Sequence, residues 1–474
     1  MKRIIVSAWL LLVLAVGTLF GQEAKYVFYF IGDGMGLNQV NGAEAYRAEL
    51  EGRIGIQPLL FTQFPYATMA TTYSATNDVT DSAASGTALA TGNKTKNGVL
   101  GLLPDLQTEV KSIAYMAQDA GMKVGVATSV SVDHATPAAF YTHVPNRSDY
   151  YAIGQSMIRA GFDFYAGSDF QRPVSKRASE EGTLYEQSEA AGYTIARGYK
   201  EYRKKARKAE KMILLQSEEA SKRDRSAIPY AIDREEQDLT LTDITRAGVH
   251  FLSKEDKDNK GFFLMVEGGK IDWAGHANDA ATVFAEVEDF DNAIRVAYEF
   301  YEQHPDETLI VVTADHETGG FVLGTGQYAL NLQALKYQRM SVNKLSAKFN
   351  ELRRKTDNKV TWEMAQKTLS ESFGFWNGLN LNKRQEARLR KTFDETFMNQ
   401  KPAMDVSEYQ KDERLASVAK EIINEIAMVG WVSGSHSNGY VPVFSIGVGA
   451  DKFCHRTDNT EIPVKIAEVA GWNR

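Results

Sequence analysis

Five stretches of this chain are apolar and β-rich almost without a break: Lys25–Ile31, Lys123–Ser129, Gly261–Val266, Thr308–Ala314 and Val441–Gly449. A strand with one face in water alternates apolar and polar residues, whereas a strand covered on both faces need not. Helical stretches such as Val110–Ala120 and Ala280–Tyr301 lie between several of these runs. Short buried strands alternating with helices predict an α/β fold, with a central, mostly parallel β-sheet sandwiched by helices. Ligands in such sheets sit beyond the carboxyl ends of the strands. The residues just after each run therefore carry the functional information.

Two spans break the rhythm. Residues near 170–240 are rich in Lys, Arg and Glu, and residues near 326–428 are charged and helical. Both read as charged helical insertions over a sheet edge or mouth. Seven basic residues fall between Lys200 and Lys211, but Glu and Ala are interspersed, which marks a solvated helix face. The whole chain carries 54 Lys+Arg against 61 Asp+Glu, a formal charge of −7. That balance argues against nucleic acid as a partner. The single cysteine, Cys454, excludes an intrachain disulfide.

The chain opens with Lys2 and Arg3, an apolar run from Ile4 to Val16, and small residues up to Gly21. This is the pattern of a secretory signal, and the run is too short to cross a bilayer, which takes about 20 residues. No cysteine follows it, which argues against a lipid anchor. The expectation is a signal peptide at 1–21 and a single catalytic domain at 22–474. The protein would be exported, periplasmic or extracellular, without a stable membrane anchor.

Polar residues recur at the strand ends. Asp33 follows the first run in Ile31-Gly32-Asp33-Gly34-Met35-Gly36. Ser82 lies in Thr80-Asp81-Ser82-Ala83-Ala84-Ser85-Gly86, a small-residue stretch suited to begin a helix, where backbone N–H groups favour an anion or an activated oxygen. After the second run comes Asp133-His134-Ala135-Thr136-Pro137, with Thr136 as a candidate metal oxygen ligand and Arg147 further on as a candidate bidentate phosphate clamp. Taken alone, Arg147 reads more readily as a surface arginine.

Glu267 ends the third run. Asp272 and His276 follow, four residues apart, so a helical turn puts both on one face where they can grip one cation. Asp315 and His316 follow the fourth run, and His436 precedes the fifth. Of eight histidines, His276, His316 and His436 sit in these loops. His143, His250 and His304 read as surface residues, and the Cys454-His455 dipeptide is too slight to mark a metal site. Mixed Asp/His ligation suits zinc, and all-oxygen ligation suits magnesium. An arginine beside them suggests a phosphate substrate. The residues alone describe a metallohydrolase.

These segments, in this order, resemble the alkaline phosphatase family. The run Val79-Thr80-Asp81-Ser82-Ala83-Ala84-Ser85-Gly86-Thr87-Ala88 looks like its active-site serine signature. The resemblance extends from about residue 25 to 472, apart from the charged spans. It implies two Zn2+ and one Mg2+. Asp272, His276 and His436 would hold one zinc, and Asp33, Ser82, Asp315 and His316 would surround the other. Asp33, Thr136 and Glu267 would hold magnesium, with Asp33 bridging. Ser82 would be the nucleophile and Arg147 would hold phosphate oxygens. The implied activity is hydrolysis of small-molecule phosphate monoesters through a phosphoserine, by a homodimer. A phosphodiesterase or phosphonate hydrolase of the same superfamily is the alternative. Two positions depart from the family pattern. His134 stands where the best-studied bacterial members carry Asp and mammalian ones His, and Trp273 stands where Lys or His is often found. They leave the third metal open among magnesium, cobalt and zinc.

Overall fold

The computed structural model describes residues 23–175, 182–326, 328–398 and 404–472. The signal expected at 1–21 lies outside the described residues. Ten strands form one sheet: β1 (Tyr26–Ile31), β2 (Tyr66–Thr71), β3 (Lys123–Thr128), β4 (Phe164–Gly167), β5 (Tyr193–Arg197), β6 (Lys211–Leu215), β7 (Phe262–Glu267), β8 (Thr308–Thr313), β9 (Val441–Gly447) and β10 (Thr457–Asp458). Their spatial order is β10-β2-β9-β8-β1-β7-β3-β4-β6-β5. Every ladder is parallel except the two that β9 makes, with β2 and with β8. Nine strands thus point one way and β9 the other.

All five apolar runs are strands of this sheet. Every residue of β1, β7 and β8 is buried, which is why those runs lack alternation. The pleat sends neighbours to opposite sides. Phe262 meets Phe300, 5.4 Å between ring centres, on one face. Phe263 meets Phe140 and Trp472 on the other. Helices α1 (Leu37–Leu50), α4 (Leu241–Glu255) and α6 (Ala280–Gln303) pack together on the Phe300 side. Helices α2 (Ser82–Thr91), α3 (Ile113–Asp119) and α7 (Glu461–Val469) form the second layer. A short helix, α5 (Lys270–His276), directly follows β7.

The span near 170–240 supplies β5 and β6, which extend the sheet at one edge. The span near 326–428 contributes helices Val342–Lys355, Trp362–Phe373, Lys383–Phe393 and Arg414–Ala427. It also contributes a hairpin of Met404–Val406 against Lys411–Glu413.

Register sets up the site. Thr128 lies opposite Glu267, Glu267 opposite Ile31, and Ile31 opposite Thr313. The carboxyl ends of β3, β7, β1 and β8 finish level, with adjacent strands about 4.8 Å apart. Because β9 runs backwards, its beginning lies at that same edge, and the residues before it reach the site.

Candidate active site

Asp33 follows β1 in a turn whose next residue, Gly34, has φ +71°. A Cβ on Gly34 would sit 2.7 Å from the Asp272 Cα, so only glycine fits. The Gly34 N–H donates to Asp315 Oδ1 at 3.1 Å, tying the β1 and β8 loops together. Glu267 closes β7 and accepts a hydrogen bond from the Thr128 hydroxyl on the neighbouring strand. Thr136 stands on the single turn Ala135–Ala138. The small residues of α2 let it approach that turn: a Cβ on Gly86 would lie 3.3 Å from the Thr136 Cα. Ser82 opens α2, and Asp81 caps the helix by accepting from the Ala84 N–H at 3.0 Å.

On α5 the four-residue spacing does what it predicts, with His276 Nε2 3.3 Å from Asp272 Oδ1. His436 enters from the segment before β9, where His436–Ser437 pairs with Glu317–Thr318. His276 Nδ1 is 2.7 Å from the Gly434 carbonyl, and His436 Nδ1 is 2.9 Å from the Thr80 carbonyl. A carbonyl only accepts, so each Nδ1 carries its proton and each Nε2 turns inward. These two Nε2 atoms are 3.1 Å apart. Lone pairs that close require a proton or a cation between them.

His316 Nε2 lies 3.3 Å from Asp315 Oδ2, 3.4 Å from Asp33 Oδ1 and 3.3 Å from Ser82 Oγ. Three sets of ligand atoms result, each within 4.8 Å of one another: Asp272, His276 and His436; Asp33, Asp315 and His316; Asp33, His134 and Glu267. The structure thus brings the sequence-predicted residues to one place, and it adds His134 to the third set, beside Thr136. By contrast, His143 bonds the Val110 carbonyl, His250 bonds Tyr202, and His304 lies 3.8 Å from Glu307.

The donor set fits metal ions. Both Asp33 oxygens, Thr136 Oγ1, Glu267 Oε1, Asp272 Oδ2 and Asp315 Oδ2 are buried without a hydrogen-bond partner. Unpaired buried carboxylates cost several kcal/mol each unless a cation or proton neutralises them. The titration behaviour agrees. Burial, then neighbouring carboxylates, pushes Asp33 well above the carboxylate range. Burial, then Asp272, pushes Asp315 up to about 8. Burial also raises Glu267 to about 7. Asp272 goes the other way: burial would raise it, but His276, His436 and His316 outweigh burial and hold it below the carboxylate range. Burial lowers His276, yet Asp272 overrides it and lifts the imidazole to about 9.

Arg147 reaches the mouth of the cluster. Its Nη1 pairs with Asp81 Oδ2 at 3.0 Å, and its Nη2 donates to the Tyr409 hydroxyl at 3.2 Å. Tyr409 comes from the Met404–Glu413 hairpin and was not singled out by the sequence. Neither were Thr128 and Thr318, whose hydroxyls donate to Glu267 and Asp272.

The sequence model of the family described as alkaline phosphatase matches residues 24–168 and 181–472. The chain belongs to the alkaline phosphatase family. Among curated relatives, alkaline phosphatase 4 of Bacillus subtilis (strain 168) is 31% identical over 465 residues, covering 94% of this chain and 89% of that protein. Among solved structures, the cold-active alkaline phosphatase of the psychrophile Shewanella sp. superimposes with a TM-score of 0.76. It is 30% identical and covers 94% of this chain and 99% of that one. A variant of the alkaline phosphatase of the Antarctic bacterium TAB5 was solved with Mg bound in the M3 site. It is 26% identical, with a TM-score of 0.65, and covers 96% and 100% of the two chains. As an alkaline phosphatase, the chain is a phosphomonoester hydrolase with metal cofactors. Among the described residues no helix is long and apolar enough to cross a membrane.

Proposed function

We propose that this alkaline phosphatase hydrolyses phosphate monoesters with Ser82 as nucleophile, through a phosphoserine. The observation that carries the proposal is convergence. Six unpartnered buried oxygens and two inward-facing imidazole nitrogens lie around Ser82, with Arg147 at the mouth. Asp272, His276 and His436 would hold one zinc; Asp33, Asp315, His316 and Ser82 the second. Asp33, Thr136 and Glu267 would hold magnesium, a choice supported by the oxygen-rich donors and by Mg in the M3 site of a histidine-to-glutamate variant of a relative. When bound, the cations favour the ionised form of the serine hydroxyl and neutralise charge on the phosphoryl oxygens.

The chain's own residues do the positioning. Phosphoryl transfer depends on alignment and charge neutralisation more than on covalent help. Ser82 Oγ is held at the first turn of α2, where the helix N-terminus favours negative charge. It bonds to phosphorus as the bond to the alcohol breaks. A water then attacks the same phosphorus, the Ser82 oxygen leaves, and phosphate is released. Arg147 presents a guanidinium edge to the non-bridging oxygens. A dianionic monoester carries twice the negative charge of a diester on its non-bridging oxygens, so the guanidinium favours monoesters. With zinc and magnesium loaded, an aryl phosphate monoester should turn over orders of magnitude faster than the corresponding diester. Equal or faster diester turnover would overturn the assignment in favour of a phosphodiesterase.

Residues 22–474 would form one exported catalytic domain after removal of the signal at 1–21. The charged start and short apolar run support this. N-terminal sequencing of the secreted protein should begin near residue 22, and an intact Met1 would refute export by this route.

A further inference from the structure

We propose that Tyr409 is the positioning residue of the phosphate clamp, fixing the guanidinium of Arg147 through its hydroxyl. The inference rests on the reading of Arg147 as that clamp. An arginine side chain is long and must be restrained from more than one side to present a fixed edge to an anion. Asp81 provides one restraint, 3.0 Å from Nη1. Asp81 is itself immobilised, since Oδ1 accepts from the Ala84 N–H and Oδ2 from the Gly98 N–H, each at 3.0 Å. A single such contact leaves the fork free to pivot about it. Nη2 carries the second restraint, the Tyr409 hydroxyl at 3.2 Å, with His134 Nε2 beside it at 3.4 Å.

That hydroxyl is held in place by its ring. Tyr409 lies flat on Trp273, with ring centres 4.5 Å apart and planes 8° from parallel. It meets His276 edge-on at 5.4 Å and His134 at 5.9 Å. Trp273 is buried on α5 between Asp272 and His276, so its position is set by the metal-ligand helix. The stack therefore gives the clamp and that helix a common reference. Offset aromatic stacking adds direction as well as area. This also gives Trp273 a role: a flat indole offers Tyr409 a platform that a lysine at the same place would not. The hairpin carrying Tyr409 has only three residues in each strand, and the stack anchors it over the site.

The test uses the full zinc- and magnesium-loaded enzyme. Tyr409→Phe removes one oxygen and keeps the stack. It should raise the inhibition constant for inorganic phosphate and the KM for an aryl phosphate by about five- to tenfold, the scale of one ordinary hydrogen bond, because the lost contact acts on phosphate only through Arg147. The kcat should stay within about twofold, because the clamp acts on bound substrate and transition state alike. Melting temperature and metal content should not move. Adding Tyr409→Phe to Arg147→Ala should change phosphate inhibition less than about twofold, because no fork remains to position. A phosphate inhibition constant unchanged in Tyr409→Phe overturns the inference, as do independent, multiplying effects of the two substitutions. Arg147→Ala that leaves phosphate inhibition intact overturns the clamp reading, and this inference with it.

Discussion

Ser82→Ala should lower turnover of an aryl phosphate by on the order of 10⁴-fold or more, the scale seen when a covalent nucleophile is deleted. Removing one oxygen from a fully buried position at the first turn of α2 leaves the cap and the packing untouched. Asp33, Asp315 and His316 remain to hold the second zinc without the serine oxygen, so metal content and melting temperature should stay close to those of the parent. Neighbouring hydroxyls do not substitute. Ser85 Oγ already donates to the Asp315 carbonyl at 2.6 Å and accepts from Asn459 at 2.9 Å. The Thr80 hydroxyl donates to the Asp81 carbonyl. Residual activity would come from direct attack of water on a phosphoryl group still held by Arg147 and the bound cations. The decisive readout is covalent. Acid-quenched parent enzyme should retain label from a phosphate donor, and the variant should retain none. Label on Ser82→Ala would assign the nucleophile elsewhere, and unchanged turnover would remove the serine from the chemistry.

The parts of the molecule that were legible in advance share a physical cause. β1, β7 and β8 are buried on both faces, so their composition alone marks them. Being parallel, they bring their carboxyl ends and the adjoining loops to one edge, which is why Asp33, Glu267 and Asp315 meet. Asp272 and His276 were legible because helical spacing is a local rule. β2 escaped because its exposure alternates and no long apolar run marks it. β4 has only four residues. The direction of β9 is invisible in its composition, yet that direction is what lets His436 act from before its strand rather than after it. Tyr409 is harder still. It touches Arg147 across 262 positions of sequence, from a short hairpin inside a charged span. Nothing local distinguishes it from a surface tyrosine, so only the tertiary fold shows its place.

Stripping the metals should destabilise the protein, and the loss should grow with pH. Burial lifts Glu267 to about 7 and, with Asp272, lifts Asp315 to about 8; Asp33 moves in the same direction. Across roughly pH 5 to 8 the stripped fold then holds protons that an unfolded chain, with carboxyls near 4, has already released. Stability tied to those protons is fully present below pH 4 and is lost as pH rises through about 7 to 8. His276 adds to the trend: burial lowers it, Asp272 raises it to about 9, and its contribution fades between about 6.5 and 9. Asp272 does not oppose it in this window, because a depressed carboxyl loses its contribution only under acid conditions. His134, lowered to about 3 by burial and then Arg147, and His316, lowered by burial and then His436, oppose it only below about pH 6.5, where the raised carboxyls outweigh them. One pKa unit corresponds to about 1.4 kcal/mol, so Glu267 alone accounts for about 3 kcal/mol between the two ends of the window. Cations compete with protons for the same atoms, and their advantage rises as protons leave. The melting temperature of chelator-treated protein should therefore fall by several degrees from pH 5 to 8. Zinc- and magnesium-loaded protein should hold or gain over the same range, and loading at pH 8 should release protons in unbuffered solution. A stripped protein whose melting temperature is flat across this range would show that Glu267 and Asp315 are not held protonated by burial. Equal stability with and without metal at pH 8 would mean that the unpartnered oxygens are neutralised by something other than a cation.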